Sequence, residues 1–326
     1  MKKASLIVRL IAASLSVGVT GLAQAAIPSF DLGAATGYSG FFYGSVSRVT
    51  DVEGRLAVGG DLTTTAFSFA YRTQVSTSLP SVVVGGNVAL GDGTIYASPG
   101  AGIDTNASIG PITEYQKNWY GFGIYVGANS SVSYLTLNKT ANISSVVDFG
   151  AAKTSFTALS SSLGGAAANG SVVTDGENKL LIGDKTSDLQ VFNLSGGDLH
   201  NLVLSNVKVG STVVINVTGS NVTFSGGQDG QLKALRANVI YNLLDASVVN
   251  VDTFVYGSVL ANNAQLRGEG HLEGNIIAKS MDGTVEIGYE PFHGYVTSAV
   301  PEPATYGMLL GGLGLLGVMA RRRKPV

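Results

Sequence analysis

The chain of 326 residues contains no cysteine, one tryptophan, three histidines and eight prolines, and charged residues make up only 13% of it. Each shortage excludes something. Without cysteine there is no disulfide scaffold, no thiol nucleophile and no Cys-ligated zinc. So few charges leave a surface to be built from Ser, Thr, Asn and Gly, which argues against a helix-rich bundle. The 20 basic residues are also unevenly placed, because Lys2, Lys3 and Arg9 lie at one end and Arg321, Arg322, Arg323 and Lys324 at the other. Setting those seven aside leaves 13 basic residues, and setting Glu302 aside leaves 21 of the 22 acidic ones, so the body carries a net charge near −8. Phosphate binding needs clustered Lys and Arg, and nucleic acid is excluded as a partner on that ground.

What is present begins with two terminal addresses. Lys2-Lys3, an apolar run over residues 10–22 and the small-x-small site Ala23-Gln24-Ala25 have the layout of a secretory signal peptide. Residues 1–25 are therefore expected to direct export through the Sec machinery, with cleavage set by Ala23 and Ala25 and a mature chain starting at Ala26. At the other end, Pro301-Glu302-Pro303 precedes an uncharged stretch over residues 304–320 and the basic run Arg321-Arg322-Arg323-Lys324. That stretch is at the lower length limit for a membrane-spanning helix, and the basic run after it fixes the C-terminus on the cytoplasmic side. In order and position, residues 301–326 resemble the PEP-CTERM sorting signal of Gram-negative bacteria. The resemblance implies processing by an exosortase, with a C-terminal transmembrane helix, an inner-membrane intermediate and then a cell-surface or extracellular location. The Gly312-x-Gly314-x-x-Gly317 spacing inside the tail follows no strand and is followed by no acidic residue, so it is not a dinucleotide site.

The body, residues 26–300, reads as all-β. Short β-branched runs recur between Gly and Asn punctuation: Val82-Val83-Val84, residues 132–137, residues 180–182, Leu202-Val203-Leu204, Val213-Val214-Ile215 and residues 248–251. Gly59-Gly60-Asp61-Leu62, Gly85-Gly86-Asn87-Val88 and Gly196-Gly197-Asp198-Leu199 repeat one signature, which suggests one tight corner used in several coils. No strict period accompanies it, so the expectation is an irregular solenoid. One segment departs from this pattern. Over residues 145–164, Phe149, Ala152, Phe156, Leu159 and Leu163 fall on one helical face, with Ser145 and Asp148 offering a capping-box-like start and Gly164 standing where a left-handed C-terminal residue belongs. A single helix with one apolar face must lie along the β body.

The stretches Leu32-Gly33-Ala34-Ala35, residues 51–62, residues 238–242, residues 256–264, residues 274–279 and Phe292-His293-Gly294 together resemble the choice-of-anchor A domain, over roughly residues 32–294. The resemblance implies a right-handed β-helix with one long α-helix packed along it, similar to ice-binding-like adhesive domains. It also implies a surface or biofilm-associated adhesin with no catalytic residues and no cofactor.

The search for chemistry is mostly negative. There is no Gly-x-Ser-x-Gly elbow, no phosphate loop ending in Gly-Lys-Ser/Thr and no His-Glu-x-x-His. Gly226-Gly227-Gln228-Asp229-Gly230 reads as an ordinary Gly-rich turn, because one copy cannot build a stacked calcium-binding roll. The one polar cluster is Glu269, His271, Glu273, Glu286, Glu290 and His293, which could ligate a divalent cation but reads better as a charged cap on the exposed end of a solenoid. No catalytic, cofactor or metal residues are assigned. The expectation is a non-catalytic exported surface or matrix protein with exopolysaccharide as candidate ligand. The alternatives are a β-helical polysaccharide-degrading enzyme and an ice-binding-like protein, the latter lacking regular Thr-x-Thr ranks around Thr63-Thr64-Thr65.

Overall fold

A computed structural model describes residues 28–73, 78–97 and 120–296. Short strands stack in parallel into a three-sided coil. The first side runs in spatial order through Leu137–Lys139, Gly123–Tyr125, Val82–Val84, Arg55–Val58 and Tyr38–Phe42. It continues through the opening halves of Ile276–Asp282 and Ser258–Gly268 to Val239–Leu243, Thr212–Thr218 and Leu189–Ser195. The second side joins Val88–Ile95, Leu62–Phe69 and Val46–Ser47 to the closing halves of Ile276–Asp282 and Ser258–Gly268, then to Val248–Val251 and Asn221–Gly230. The third side includes Asp51–Val52, Glu286–Ile287, His271–Glu273 and Phe254–Tyr256. Long strands serve two sides by bending at a corner, as between Ala261 and Gln265 where the register shifts.

Spatial order is not chain order. Gly40–Phe42 pairs with Leu56–Val58 on one flank and with Ile276–Ala278 on the other, so the chain starts in the middle of the stack. It winds outward to Leu137–Lys139, crosses to the far end, and winds back until its last coils close on its first. The coil interior forms one continuous apolar cluster containing Leu56, Val82, Val84, Val213, Tyr241, Leu272 and Ile287, all fully buried.

The crossing is made by the helix Phe149–Gly164. It covers the first side, which is therefore buried on both faces: Val82 and Val84 point into the coil while Val83 packs beneath the helix. That two-sided burial is why these strands read as unbroken apolar runs rather than alternating ones. The Phe41 ring lies 5.3 Å from Phe149 and 5.8 Å from Phe156, and Ala152, Phe156 and Leu163 are buried against the same side. Amides hold the C-terminal half. Asn262, Asn242 and Asn216, from successive coils, donate to the carbonyls of Phe156, Ser160 and Leu163 at 2.8–2.9 Å. The match is geometric: three or four helical residues rise about 4.5–6 Å, and neighbouring strands lie about 4.8 Å apart.

Several expectations need correcting. The helix is 16 residues and begins at Phe149, not at residue 145, so it is shorter than the long element expected. Ile143–Ser145 is a separate 3-10 turn, and Asp148 caps the helix alone, its carboxylate accepting from the Ala151 amide at 2.9 Å. Gly164 has no left-handed backbone. Of residues 132–137 only Leu137 enters a strand, Leu137–Lys139. The Gly226–Gly230 stretch closes the kinked strand Asn221–Gly230 instead of forming a turn between strands. The corner is shared by two of the three copies: a Cβ on Gly85 would lie 2.4 Å from the Gly59 carbonyl, and the Asp61 carboxylate accepts from the Asn87 backbone amide at 2.7 Å. Only glycine permits coils to stack so closely there. Gly196 of the third copy turns instead with a left-handed backbone, φ 81°. The expected signal peptide with Ala23 and Ala25, the sorting residues Pro301, Glu302, Pro303, Arg321, Arg322 and Arg323, and the expected C-terminal membrane helix lie outside the described residues. Among those described, no helix is long and apolar enough to cross a membrane.

Candidate functional site

The charged residues expected at an exposed end gather instead at an internal seam, where the last coils meet the first. Leu272 pairs with Ile287, and Ile287 with Val52, so these three point inward while their neighbours line the outer surface of the third side. Alternation along each strand then brings Asp51 and Glu53 beside Glu286, His271 and Glu273. The segment Tyr71–Thr73 folds over them. Arg72 is buried and forms ion pairs with Glu53 and, at 3.4 Å, with Glu273. The Tyr71 hydroxyl lies 3.1 Å from Glu53 Oε1 and 3.2 Å from Asp51 Oδ2. His271 bridges Glu273 through Nε2 at 2.8 Å and Glu286 through Nδ1 at 3.2 Å, with the Phe254 ring stacked on it at 4.2 Å. Beyond the seam, Glu290 is buried against Arg236, Nε to Oε2 at 3.0 Å.

Electrostatics follow from this crowding. Burial, with Glu286 nearby, pushes the Asp51 carboxyl up to about 7. Burial raises Glu53 as well, against the pull of Arg72. Burial also works to raise Glu273, but the His271 hydrogen bond and the Arg72 charge outweigh it and hold that carboxyl below its usual range. Burial opposes charge on His271, yet its bonds to Glu273 and Glu286 prevail and raise it to about 9. At neutral pH the seam thus sets ionised Glu273 and Glu286 beside charged His271 and Arg72, with Asp51 shared between its protonated and ionised forms. A glycosidase needs one carboxyl free to give a proton and another free to attack or activate water. Here Glu53 and Glu273 share one guanidinium, Glu290 pairs with another, and Asp51 accepts from the Tyr71 hydroxyl.

Of the six residues in the sequence-derived cluster, the structure joins His271, Glu273 and Glu286 and places Glu290 nearby on Arg236. Glu269 is exposed on a groove with Arg48, Arg267 and Asp282, and His293 is exposed near Ala237. Reading the cluster as the cap of an exposed end is therefore overturned by the pairing of the last coils with the first. Among the described residues no group of three or more His, Asp or Glu side chains is arranged to hold a metal ion. Sequence reasoning missed Asp51, Glu53, Tyr71 and Arg72. A signal was present: Asp51-Val52-Glu53 and His271-Leu272-Glu273 share one polar–apolar–acid pattern, as strands stacked in register would.

The described residues thus form a parallel coil crossed by a helix, with an ionic seam on its third side. Residues 31–289 match the family described as "Putative Ice-binding-like adhesive domain", and residues 299–324 match the PEP-CTERM protein-sorting motif. The chain belongs to the ice-binding-like adhesive domain family. The match carries that description and not the choice-of-anchor A name. With its sorting motif, the domain is that of an exported surface protein: the motif implies exosortase-dependent processing at the membrane, then a cell-surface or extracellular location. Among curated proteins nothing matches. Among solved structures, a glycosylated ice-binding protein from an Arctic yeast aligns at 12% identity and a TM-score of 0.33, covering 84% of this chain and 96% of its own. An ice-binding protein from the Antarctic ascomycete Antarctomyces psychrotrophicus aligns at 13% identity and a TM-score of 0.27, covering 82% of this chain and 100% of its own. Likeness at this level does not carry ice binding over to this chain.

Proposed function

We propose that this protein is a non-catalytic adhesive component of the cell surface or extracellular matrix, holding exopolysaccharide after export through the Sec pathway, signal-peptide cleavage after Ala25 and exosortase sorting. The observation that carries this reading is the seam. Glu53 and Glu273 share Arg72, Glu290 pairs with Arg236 and Glu286 with His271, so four of the carboxylates join coil to coil, while Asp51 accepts from the Tyr71 hydroxyl. The coil's hand is taken as right, the hand of nearly all parallel strand–crossover–strand connections.

The ice-binding alternative is disfavoured by the second side. Its outward rank runs through Thr223, Asn250 and Arg267, then Asp282, Ser47, Thr63 and Ala89. An Arg48–Asp282 ion pair at 2.7 Å interrupts it, so no regular array of one side chain is presented. Such a mixed polar surface suits hydroxyl-rich polymers better than a lattice of ordered water.

Two measurements test the proposal. Incubated with bacterial exopolysaccharides, the protein should be retained by polymer and release no new reducing ends or unsaturated products; turnover would sink the non-catalytic reading. Replacing Glu302 with Ala should leave the protein uncleaved in the inner membrane, and a variant that reaches the surface normally would remove the exosortase step.

A further inference from the structure

Among the described residues the third side stops short of the other two at one end of the stack. The first side continues from Val82–Val84 through Gly123–Tyr125 to Leu137–Lys139, and the second continues from Val88 to Asn129. Residues 133–136 then cut back to the first side, and among the described residues no strand is laid over residues 92–95. The omission opens a groove of about 770 Å³, within the size range of small-ligand sites. Phe67 forms its floor together with the strand edge bearing Asp92 and Thr94, and Tyr134, Thr136 and Tyr120 stand at its walls.

Two features of this groove point to a ligand class. Tyr120 and Tyr134 are 72% and 61% exposed, large apolar rings left in water on a mostly polar surface. The Tyr134 ring is held in place, because its hydroxyl donates to Asp92 Oδ1 at 2.5 Å and accepts from the Gly93 amide at 3.0 Å. The second feature is charge: among the described residues the lining includes the Asp92 carboxylate and no lysine or arginine.

We propose that this groove binds a segment of neutral glycan, with Tyr120 and Tyr134 stacking on the apolar C–H faces of sugar rings while Asp92, Thr94 and Thr136 take the hydroxyls. Stacking aromatics supply sequence-tolerant affinity, and hydroxyl donors find an acceptor in the carboxylate. A uronic-acid or sulfated polymer would meet a like charge in the Asp92 carboxylate, with no cation among the described lining residues to offset it. The inference rests on the adhesive reading above and narrows it to one site and one class of polymer.

Affinity electrophoresis of the full chain in a polyoxyethylene detergent, through gels containing dextran, mannan or alginate, tests it. The expected result is retardation by a neutral polymer and none by alginate. Tyr120→Ala and Tyr134→Ala should each weaken retardation roughly three- to tenfold, and the double variant should nearly abolish it. Tyr134→Phe, which keeps the ring, should retain most of it. Both tyrosines are exposed, so melting temperatures should stay within a degree or two of the original. Retardation unchanged in the double variant would overturn the groove while leaving the adhesive reading in place; no retardation by either neutral polymer would overturn the groove together with polysaccharide adhesion. Equal retardation by alginate would overturn the ligand class. A large fall in melting temperature in the double variant would mean that the rings pack against the chain itself, which also overturns the site.

Discussion

Two seams close this molecule on itself, and their chemistry is opposite. Where the helix lies on the first side, contact is made by Phe41, Phe149, Phe156 and Leu163, and the polar bonds there are neutral amides from Asn216, Asn242 and Asn262. Where the last coils meet the first on the third side, Arg72, Glu53, Glu273, His271 and Glu286 carry the contact as charges. The difference teaches where solution conditions act. An apolar and amide seam holds across pH, whereas an ionic seam is tuned by it. Buried ion pairs also stabilise little relative to a well-packed apolar replacement but cost heavily when one partner is removed.

The largest effect should come from breaking the ionic seam on one side only. Arg72→Leu leaves Glu53 and Glu273 buried without their shared cation and should cost about 3–5 kcal/mol in urea unfolding at pH 7. Adding Glu53→Gln should return part of that loss. A cost below about 1 kcal/mol would mean that the seam is not closed by this guanidinium. Phe156→Ala tests the other seam. Phe156 is 2% exposed, and its removal should cost about 3 kcal/mol, the lower end for such truncations because a surface helix can settle toward Phe41. The contrast lies in pH: the Phe156 loss should be the same at pH 5 and pH 9, and a pH-dependent loss would blur the distinction between the seams.

The pH profile itself is the next, smaller effect. Asp51 sits at about 7 in the folded chain against an ordinary 3.8, so the folded state holds its proton more tightly. The stability this brings is full below about pH 4 and is lost as pH rises through about 7. His271, at about 9 against 6.5, adds stability that is full below about pH 6.5 and lost through about pH 9. Both terms have one sign, so the melting temperature should fall as pH climbs from 5 to 9. Asp51→Asn should flatten the lower part of that slope and leave the upper part. A melting temperature that rises over this range would contradict the arrangement.

How much of this was legible in the sequence depends on distance along the chain. Local features were readable: the helical face Phe149, Ala152, Phe156, Leu163; the Gly-Gly-Asp/Asn corner; the β-branched runs. The seam was not, because Gly40 pairs with Ile276 and Arg72 with Glu273, and no local pattern announces that a chain begins mid-stack and returns to its start. The same ignorance turned His271, Glu273 and Glu286 into an apparent end cap. The helix start was misplaced for a smaller reason: Ser145 and Asp148 both qualify as caps by type, and only backbone geometry chooses between them.

That choice supplies the smallest and most local test. The Asp148 side chain accepts from the Ala151 amide at the third helical position, satisfying one of the first-turn donors that have no partner within the helix. Its negative charge also faces the positive end of the helix dipole. Asp148→Ala removes both effects and should cost about 1 kcal/mol, whereas Ser145→Ala, three residues upstream in a separate turn, should cost less than about 0.5 kcal/mol. Because this end of the helix belongs to the apolar seam, the Asp148 loss should combine with that of Arg72→Leu by simple addition, within about 0.5 kcal/mol. A double variant less stable than that sum would show that the two seams open together and are not independent closures.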